Sequence, residues 1–250
     1  MAVTSRPTGK LILLPVSLGA GSWTTYLPPD VRGAALQLDY FIVENAKTAR
    51  AELKRLGYEK PLRETRIETL PETPSEADLK ALLRPILDGF DVGLMSEAGC
   101  PAVADPGAAL VRAAHDSDIH VVPLVGPSSL LLALMASGLN GQSFAFHGYL
   151  PIEDAERSST LVALERESAR RNMTQIFIET PYRNTRMFCA AIKACASGTL
   201  LCVASNLSTP SESVFTRRIA EWRRCAAPPI ERQPTVFLLL AENSAKTHLR

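Results

Sequence analysis

Ser96-Glu97-Ala98-Gly99-Cys100-Pro101-Ala102-Val103-Ala104-Asp105-Pro106-Gly107 follows an apolar run at residues 91–95 and leads into an amphipathic stretch at 107–117. Twelve residues with two Gly, two Pro and two carboxylates make an elaborate junction for a strand-to-helix connection, which is usually short. Close approach of the backbone to a ligand explains such a composition. The structural alternative makes Asp105 a helix N-cap and Pro106 the first helical residue. The two readings are compatible.

Working outward, the same alternation recurs on either side. Residues 11–16, 40–43 and 120–125 are further apolar runs of strand length, and residues 46–56 and 75–88 read as helices. The latter opens on Ser75 with Asp78 three residues later, a capping-box pattern. Strands alternating with helices predict a parallel sheet with helices on its faces. After the turn Val125-Gly126-Pro127-Ser128 and a helix at 130–137, strands are predicted at 144–150, 175–179, 200–205, 213–218 and 235–241, with helices at 155–171 and 185–196. The close spacing of the late strands implies some antiparallel pairing. The sequence thus reads as α/β with two domains: 1–123 with a mainly parallel sheet, and 124–250 with a mixed one.

With 250 residues, 46% hydrophobic and 21% charged, the chain is large enough to bury a core, and disordered and fibrous classes are excluded. Charge is nearly balanced at +1, but unevenly placed. Residues 1–150 carry 13 Lys+Arg against 16 Asp+Glu, and residues 151–250 carry 14 against 10. The basic surplus of the second part is a weak pointer to a polyanion, since solvated Arg on helix faces gives the same count. Five cysteines without a C-x-x-C pair suggest neither a disulfide framework nor zinc, and read as reduced cytosolic thiols. The four histidines lack metal spacing. The segment MAVTSRPTGK is not a signal peptide, and the apolar stretch 121–139 is broken by Pro123, Gly126 and Pro127, so no membrane span is expected.

Two more loops share the position of the first. Pro15-Val16-Ser17-Leu18-Gly19-Ala20-Gly21-Ser22-Trp23 follows the first strand; it lacks the third glycine of the dinucleotide fingerprint and the lysine of a P-loop, and a simple tight turn explains it equally. Gly126-Pro127-Ser128-Ser129 enters a helix N-terminus, where hydroxyls and free N–H groups hold polar ligands. Three such loops after strands of one sheet indicate a small-molecule site.

Ser96-Glu97-Ala98-Gly99-Cys100-Pro101 with Asp105-Pro106-Gly107, then Val122-Pro123-Leu124-Val125-Gly126-Pro127-Ser128-Ser129, then Phe146-His147-Gly148-Tyr149-Leu150-Pro151, then Ile176-Phe177-Ile178-Glu179-Thr180-Pro181-Tyr182-Arg183 form an ordered series. The series resembles the tetrapyrrole methylase superfamily of S-adenosylmethionine-dependent methyltransferases, and within it the branch that 2′-O-methylates a cytidine ribose of small-subunit ribosomal RNA. The likeness runs from about Lys10 to Ala241. It implies two α/β domains with the methyl donor in a cleft between them and a homodimer; the cytoplasmic location and the lack of a metal rest on the cysteine and histidine pattern above. Carried over by position, it implies donor contacts at Pro15, Gly99, Cys100, Pro101, Ala104, Ser128 and Ser129, and in the second domain at Glu179, Asn206, Leu207, Pro234 and Thr235.

Departures from that pattern fall on the presumed RNA side. Trp23 stands where an acidic residue is usual, Asn45 and Ala46 replace part of an Asp-Thr-Arg run, Ala204-Ser205-Asn206-Leu207 replaces an Arg-Glu-Leu run, and the additional C-terminal helical segment of the branch is not expected. A ribose hydroxyl must lose its proton during attack on the methyl, so a base is needed. Glu44, Lys47, Glu97, Asp105 and Glu179 are candidates, with Glu44 and Glu97 first because each directly follows an apolar strand. For each, a helix cap or a surface carboxylate is the competing explanation. Lys47, Arg183 and Arg186 are the candidate contacts to substrate. A methylase of a porphyrin or corrin ring, and a donor-binding protein without turnover, remain as alternatives.

Overall fold

The computed structural model describes residues 7–19 and 21–241. Most of the N-terminal segment read above, and Ala20 at the centre of the first glycine-containing turn, lie outside the described residues. The chain divides into two units, Met1–Ser128 and Ser129–Arg250.

In the first unit, β1 (Lys10–Leu13), β2 (Tyr40–Val43), β3 (Arg66–Thr69), β4 (Val92–Met95) and β5 (His120–Pro123) form one sheet in the order β3-β2-β4-β1-β5. Every pairing is parallel. The helices α1 (Pro29–Gln37), α2 (Ala46–Arg55), α3 (Glu76–Leu87) and α4 (Gly107–Asp116) connect the strands. Alternate strand residues feed two cores. Ile12, Phe41, Val43 and Met95 pack with Val31, Ala35, Ala49 and Leu53 from α1 and α2, while Leu11, Tyr40, Ile42, Val92 and Leu94 pack with Leu82, Leu83, Ile86, Leu110 and Ala114 from α3 and α4. Burial on both faces is why β2 and β4 contain no charged residue.

The sequence reading missed α1 and β3. The β3 segment Arg-Ile-Glu-Thr is an edge strand, with only Ile67 packed against a core, and its charges suit an exposed edge. Helix α1 carries Gly33 and starts on Pro28-Pro29-Asp30, where apolar periodicity is weak but Pro and Asp suit a first turn. The capping box at Ser75 is present, with both reciprocal bonds to Asp78.

In the second unit, β6 (Phe144–Tyr149), β7 (Thr174–Ile178), β8 (Leu200–Ser205), β9 (Ser213–Arg218) and β10 (Thr235–Leu240) run in the order β6-β7-β10-β8-β9. Only β6 and β7 pair in parallel; the other three pairings are antiparallel. Leu161 and Leu164 of α6 (Asp154–Arg171), Met187, Phe188 and Ala191 of α7 (Asn184–Ala194), and Trp222 of α8 (Ile219–Trp222) cover one face over Phe177, Leu201, Val203, Phe237 and Leu239. Helix α5 (Ser129–Ser137) packs against β8, β9 and β10. Among the described residues, no helix is long and apolar enough to cross a membrane.

Candidate functional site

A parallel sheet brings the carboxyl ends of all its strands to one side, and in the first unit the loops after β1, β2, β4 and β5 meet there. The Val16 N–H donates to the Gly99 carbonyl at 2.9 Å, joining the loops after β1 and β4. The Cys100 thiol donates to the Pro127 carbonyl at 3.3 Å, joining the loops after β4 and β5. A Cβ on Gly126 would stand 2.1 Å from the Pro15 Cβ, so only glycine lets the loop after β5 pass that close to the loop after β1. The Glu97 N–H donates to Glu44 Oε2 at 2.9 Å, which brings in the loop after β2.

The loop after β4 is turned by left-handed residues. Gly99 has φ 76°, but Ala102 at 66° and Ala104 at 64° adopt the same region with a side chain. That costs each alanine roughly 1 kcal/mol. The bond from the Ala102 N–H to Asp105 Oδ1, 2.9 Å, helps to hold the turn. The same oxygen accepts from the Gly107 N–H at 2.8 Å. The helix itself begins at Gly107 behind Pro106, one residue later than the sequence suggests, yet Asp105 still satisfies an N–H of its first turn. Gly99 is buried beside Leu18 and the Pro127 carbonyl, while Ala102 is half-buried and Ala104 exposed, so with side chains no larger than methyl the main chain at Ala102 and Ala104 is open to a small ligand. The arrangement fits a molecule held through peptide groups.

Glu44 and Asp105 form the unusual electrostatic feature here. Glu44 Oε1 and Asp105 Oδ2 are both buried and have no hydrogen-bond partner as carboxylates. Burial is the largest influence on Glu44, the Asp105 and Glu97 charges add to it against the Glu97 N–H, and the carboxyl is pushed up to about 7. Burial also raises Asp105, but its two backbone donors oppose the shift. Two close carboxyls cannot both ionise cheaply, so Asp105 raises Glu44's hold on a proton, with burial as the largest cause of the shift at both. The pair is therefore poised to exchange a proton near neutral pH. The Glu97 side chain is exposed, so its structural contribution is the backbone N–H on Glu44.

Asn45 caps α2, its side chain accepting from the Lys47 N–H at 2.9 Å and the Thr48 N–H at 3.3 Å, which gives this departure from the expected acidic residue a structural role. Lys47 is exposed on the first turn of that helix. Trp23 lies in a short 3-10 turn with the Arg32 guanidinium 4.8 Å from its ring. Sequence reasoning missed Glu52, which is buried and accepts from Ser17 Oγ at 3.0 Å, Tyr26 OH at 2.5 Å and Arg55 at 2.6 Å. A cavity of about 240 Å³ beside it is lined by Ser17, Thr48, Glu52, Arg55, Ser96 and Glu97, among others. Its only signal in the sequence was the i,i+3 Glu-Arg spacing, which most surface helices share.

In the second unit the strand pairing collects the other selected residues. Thr235 pairs with Ser205 in register, and the Asn206 N–H donates to the Pro234 carbonyl at 3.0 Å, so Asn206, Leu207, Pro234 and Thr235 share one end of the sheet. Glu179 follows Ile178, whose partner is Val236, and so lies at the same end. Ser205 Oγ and Thr235 Oγ1 are 3.0 Å apart. Glu179 is almost fully buried and accepts from Arg183 at 2.7 Å, while Arg186 pairs with Asp154 at 2.9 Å. Both candidate substrate arginines are thus matched by acids. Ser129 starts α5, and Ser128 precedes it.

No family model matches the chain. It is 34% identical over 194 residues to a ribosomal RNA small subunit methyltransferase I of Mesorhizobium japonicum, an alignment covering 76% of this chain and 63% of that protein. It is 34% identical over 158 residues to the protein of the same name from Micromonospora olivasterospora, covering 63% and 49%. It is 29% identical over 219 residues to that from Xylella fastidiosa, covering 88% and 77%. The chain therefore spans less than two thirds of the first two relatives. Among solved structures it shares its fold with the methyltransferase CobJ, at a TM-score of 0.63 and 19% identity over 95% of both chains.

Proposed function

We propose that the chain, which is similar to ribosomal RNA small subunit methyltransferase I and shares the fold of CobJ, is an S-adenosylmethionine-dependent methyltransferase of the tetrapyrrole methylase family acting on RNA, at the ribose 2′-oxygen of a small-subunit ribosomal cytidine. The observation that carries the proposal is the loop Ser96–Gly107, with its left-handed Gly99, Ala102 and Ala104 at a strand carboxyl end, in a chain alignable with those relatives over most of its length. The residues fit a donor held mainly by backbone. Pro15, Gly99, Cys100, Pro101, Ala104, Ser128 and Ser129 are proposed to hold it, together with Glu179, Asn206, Leu207, Pro234 and Thr235. When bound, the donor supplies a methyl group on a positively charged sulfur.

The protein's own part is to position the acceptor and take its proton. Above pH about 7 Glu44 has given up the proton it holds at lower pH, and it is then free to receive one from the ribose hydroxyl as that oxygen attacks. The Glu97 N–H on Glu44 Oε2 fixes the carboxylate's orientation. Positioning supplies much of the remaining acceleration, as in any in-line displacement. Lys47 is proposed to contact the RNA, and Arg183 and Arg186 contribute there only as far as Glu179 and Asp154 leave their charge available. A homodimer is proposed on the family likeness, with the exposed apolar side chains Leu131 and Met135, one turn apart on α5, as a surface for a second copy to cover.

Transfer of tritiated methyl groups from S-adenosylmethionine into ribosomal RNA tests the function. Label in RNA at a ribose 2′-oxygen is expected. Label in precorrin-type substrates and none in RNA would overturn it in favour of the ring methylase.

A further inference from the structure

At the end of the second unit's sheet, one exposed aromatic ring is held under a cation. Tyr182 sits in the single 3-10 turn Pro181–Arg183 after β7 and is 78% exposed. The Arg232 guanidinium lies 6.0 Å from its ring centroid. Arg232 has φ 58°, a left-handed conformation that favours glycine or asparagine, and its N–H donates to the Pro181 carbonyl at 3.0 Å. The loop around it is anchored on both sides. Ile230 is buried in the core, and the buried Asn184 donates to the Gln233 carbonyl at 2.6 Å. Tyr149, 58% exposed, stands on the neighbouring strand opposite Ile178.

Neither feature helps the fold. An exposed tyrosine forgoes the burial that stabilises aromatic residues, and an arginine in a left-handed turn is strained where glycine would not be. Two such costs at one place indicate a surface kept for a ligand. The charges point the same way: Arg183 and Arg186 are paired with Glu179 and Asp154, whereas Arg232 forms no ion pair among the described residues. A flat ring topped by an unpaired guanidinium is the chemistry that stacks an unpaired nucleobase and meets its phosphate.

Resting on the reading of RNA as the methyl acceptor, we infer that Tyr182 and Arg232 form a stacking platform for an unpaired base flanking the methylated nucleotide. The platform adjoins Glu179, three residues before Tyr182, at the sheet end that also carries Pro234 and Asn206. It selects for single-stranded RNA, because a base engaged in a helix offers no free face to the ring.

The test measures binding of a short single-stranded RNA carrying 2-aminopurine, and of the same RNA in a duplex, to the full chain and its variants, with donor affinity measured alongside. Tyr182→Ala is expected to lower single-strand affinity roughly 5- to 100-fold and to abolish the fluorescence quenching that stacking produces. Tyr182→Phe, which keeps the ring, should stay near wild type. Arg232→Ala should reduce the salt slope of binding by about one unit or slightly less. Donor affinity should be unchanged in all three. Wild-type affinity and quenching in Tyr182→Ala, in a protein whose parent methylates RNA, would overturn the platform and leave the proposed function standing. A parent that binds the donor but neither binds nor methylates RNA would overturn both.

Discussion

In the first unit, the loops at the strand ends are joined largely by main-chain groups: Val16 to Gly99, Glu97 N–H to Glu44, Cys100 to the Pro127 carbonyl, and Gly126 against Pro15. In the second unit, the corresponding end of the sheet is held more by side chains, with Glu179 on Arg183, Ser205 on Thr235 and Asn184 on the Gln233 carbonyl. A site built from backbone depends on conformation and on small residues, and it tolerates changes of side-chain chemistry around it. A site built from side chains depends on their identity. On that contrast, donor binding should depend more on backbone conformation in the first unit and more on the identity of Glu179 and Thr235 in the second.

The comparison breaks first at Glu44, where a first-unit loop junction rests on a carboxylate. Glu44→Gln is expected to lower kcat by roughly 100-fold or more while leaving donor affinity nearly intact. In the wild type, kcat should rise with pH through an inflection near 7. A Glu44→Gln enzyme with the wild-type pH profile would remove Glu44 as the base. Stability carries the same signature. Because the folded carboxyl is raised above its unfolded value, its contribution is full below about pH 4.5 and is lost as pH rises through about 7. The wild type should therefore lose about 1 kcal/mol against Glu44→Gln between pH 5 and 8, after allowance for solvent screening. Thermal melts across that range would show it.

Gly126→Ala tests the main-chain packing itself. The added Cβ has nowhere to go beside Pro15, so the variant should cost about 1–3 kcal/mol in denaturant unfolding and weaken donor binding severalfold. In the second unit, Ser205→Ala removes the hydroxyl that meets Thr235 and the Pro234 carbonyl and should cost about 1 kcal/mol, with donor affinity little changed. Equal losses of donor affinity in the two variants would erase the distinction between the units. The smallest effect is expected at Ala104→Gly, which relieves a left-handed alanine and should raise stability by about 0.5–1 kcal/mol.

Much of this architecture is legible in the sequence because its signals are local. The fully buried β2 and β4 show as unbroken apolar runs, the late strands show as closely spaced ones, and Ser75 and Asp78 mark a helix start. Edge strand β3 is hidden because it buries almost nothing, and α1 because its Gly33 and polar residues blur the period. The ligand loops were visible as Gly, Pro and carboxylate at strand ends, since left-handed turns and close packing demand those residues. The Glu44–Asp105 pair was not visible as a pair, because 61 positions separate two carboxylates that only the parallel order of β2 and β4 brings together. The pairing of Arg183 with Glu179, four residues before it, and of Arg186 with Asp154 was hidden for another reason: a charge count records the arginines and not their partners.

The central claim is that the strand-end loops of the first unit are built to hold S-adenosylmethionine through their main chain. Titration calorimetry of the donor into the wild-type chain and into Gly99→Val tests it most directly. Gly99 has φ 76° and stands close to Leu18 and the Pro127 carbonyl, so a branched side chain strains the backbone and crowds the loop. Saturable one-to-one binding is expected of the wild type, and at least a tenfold loss in a variant that still folds. Absence of donor binding by the wild type, or equal affinity in a folded Gly99→Val, would contradict it.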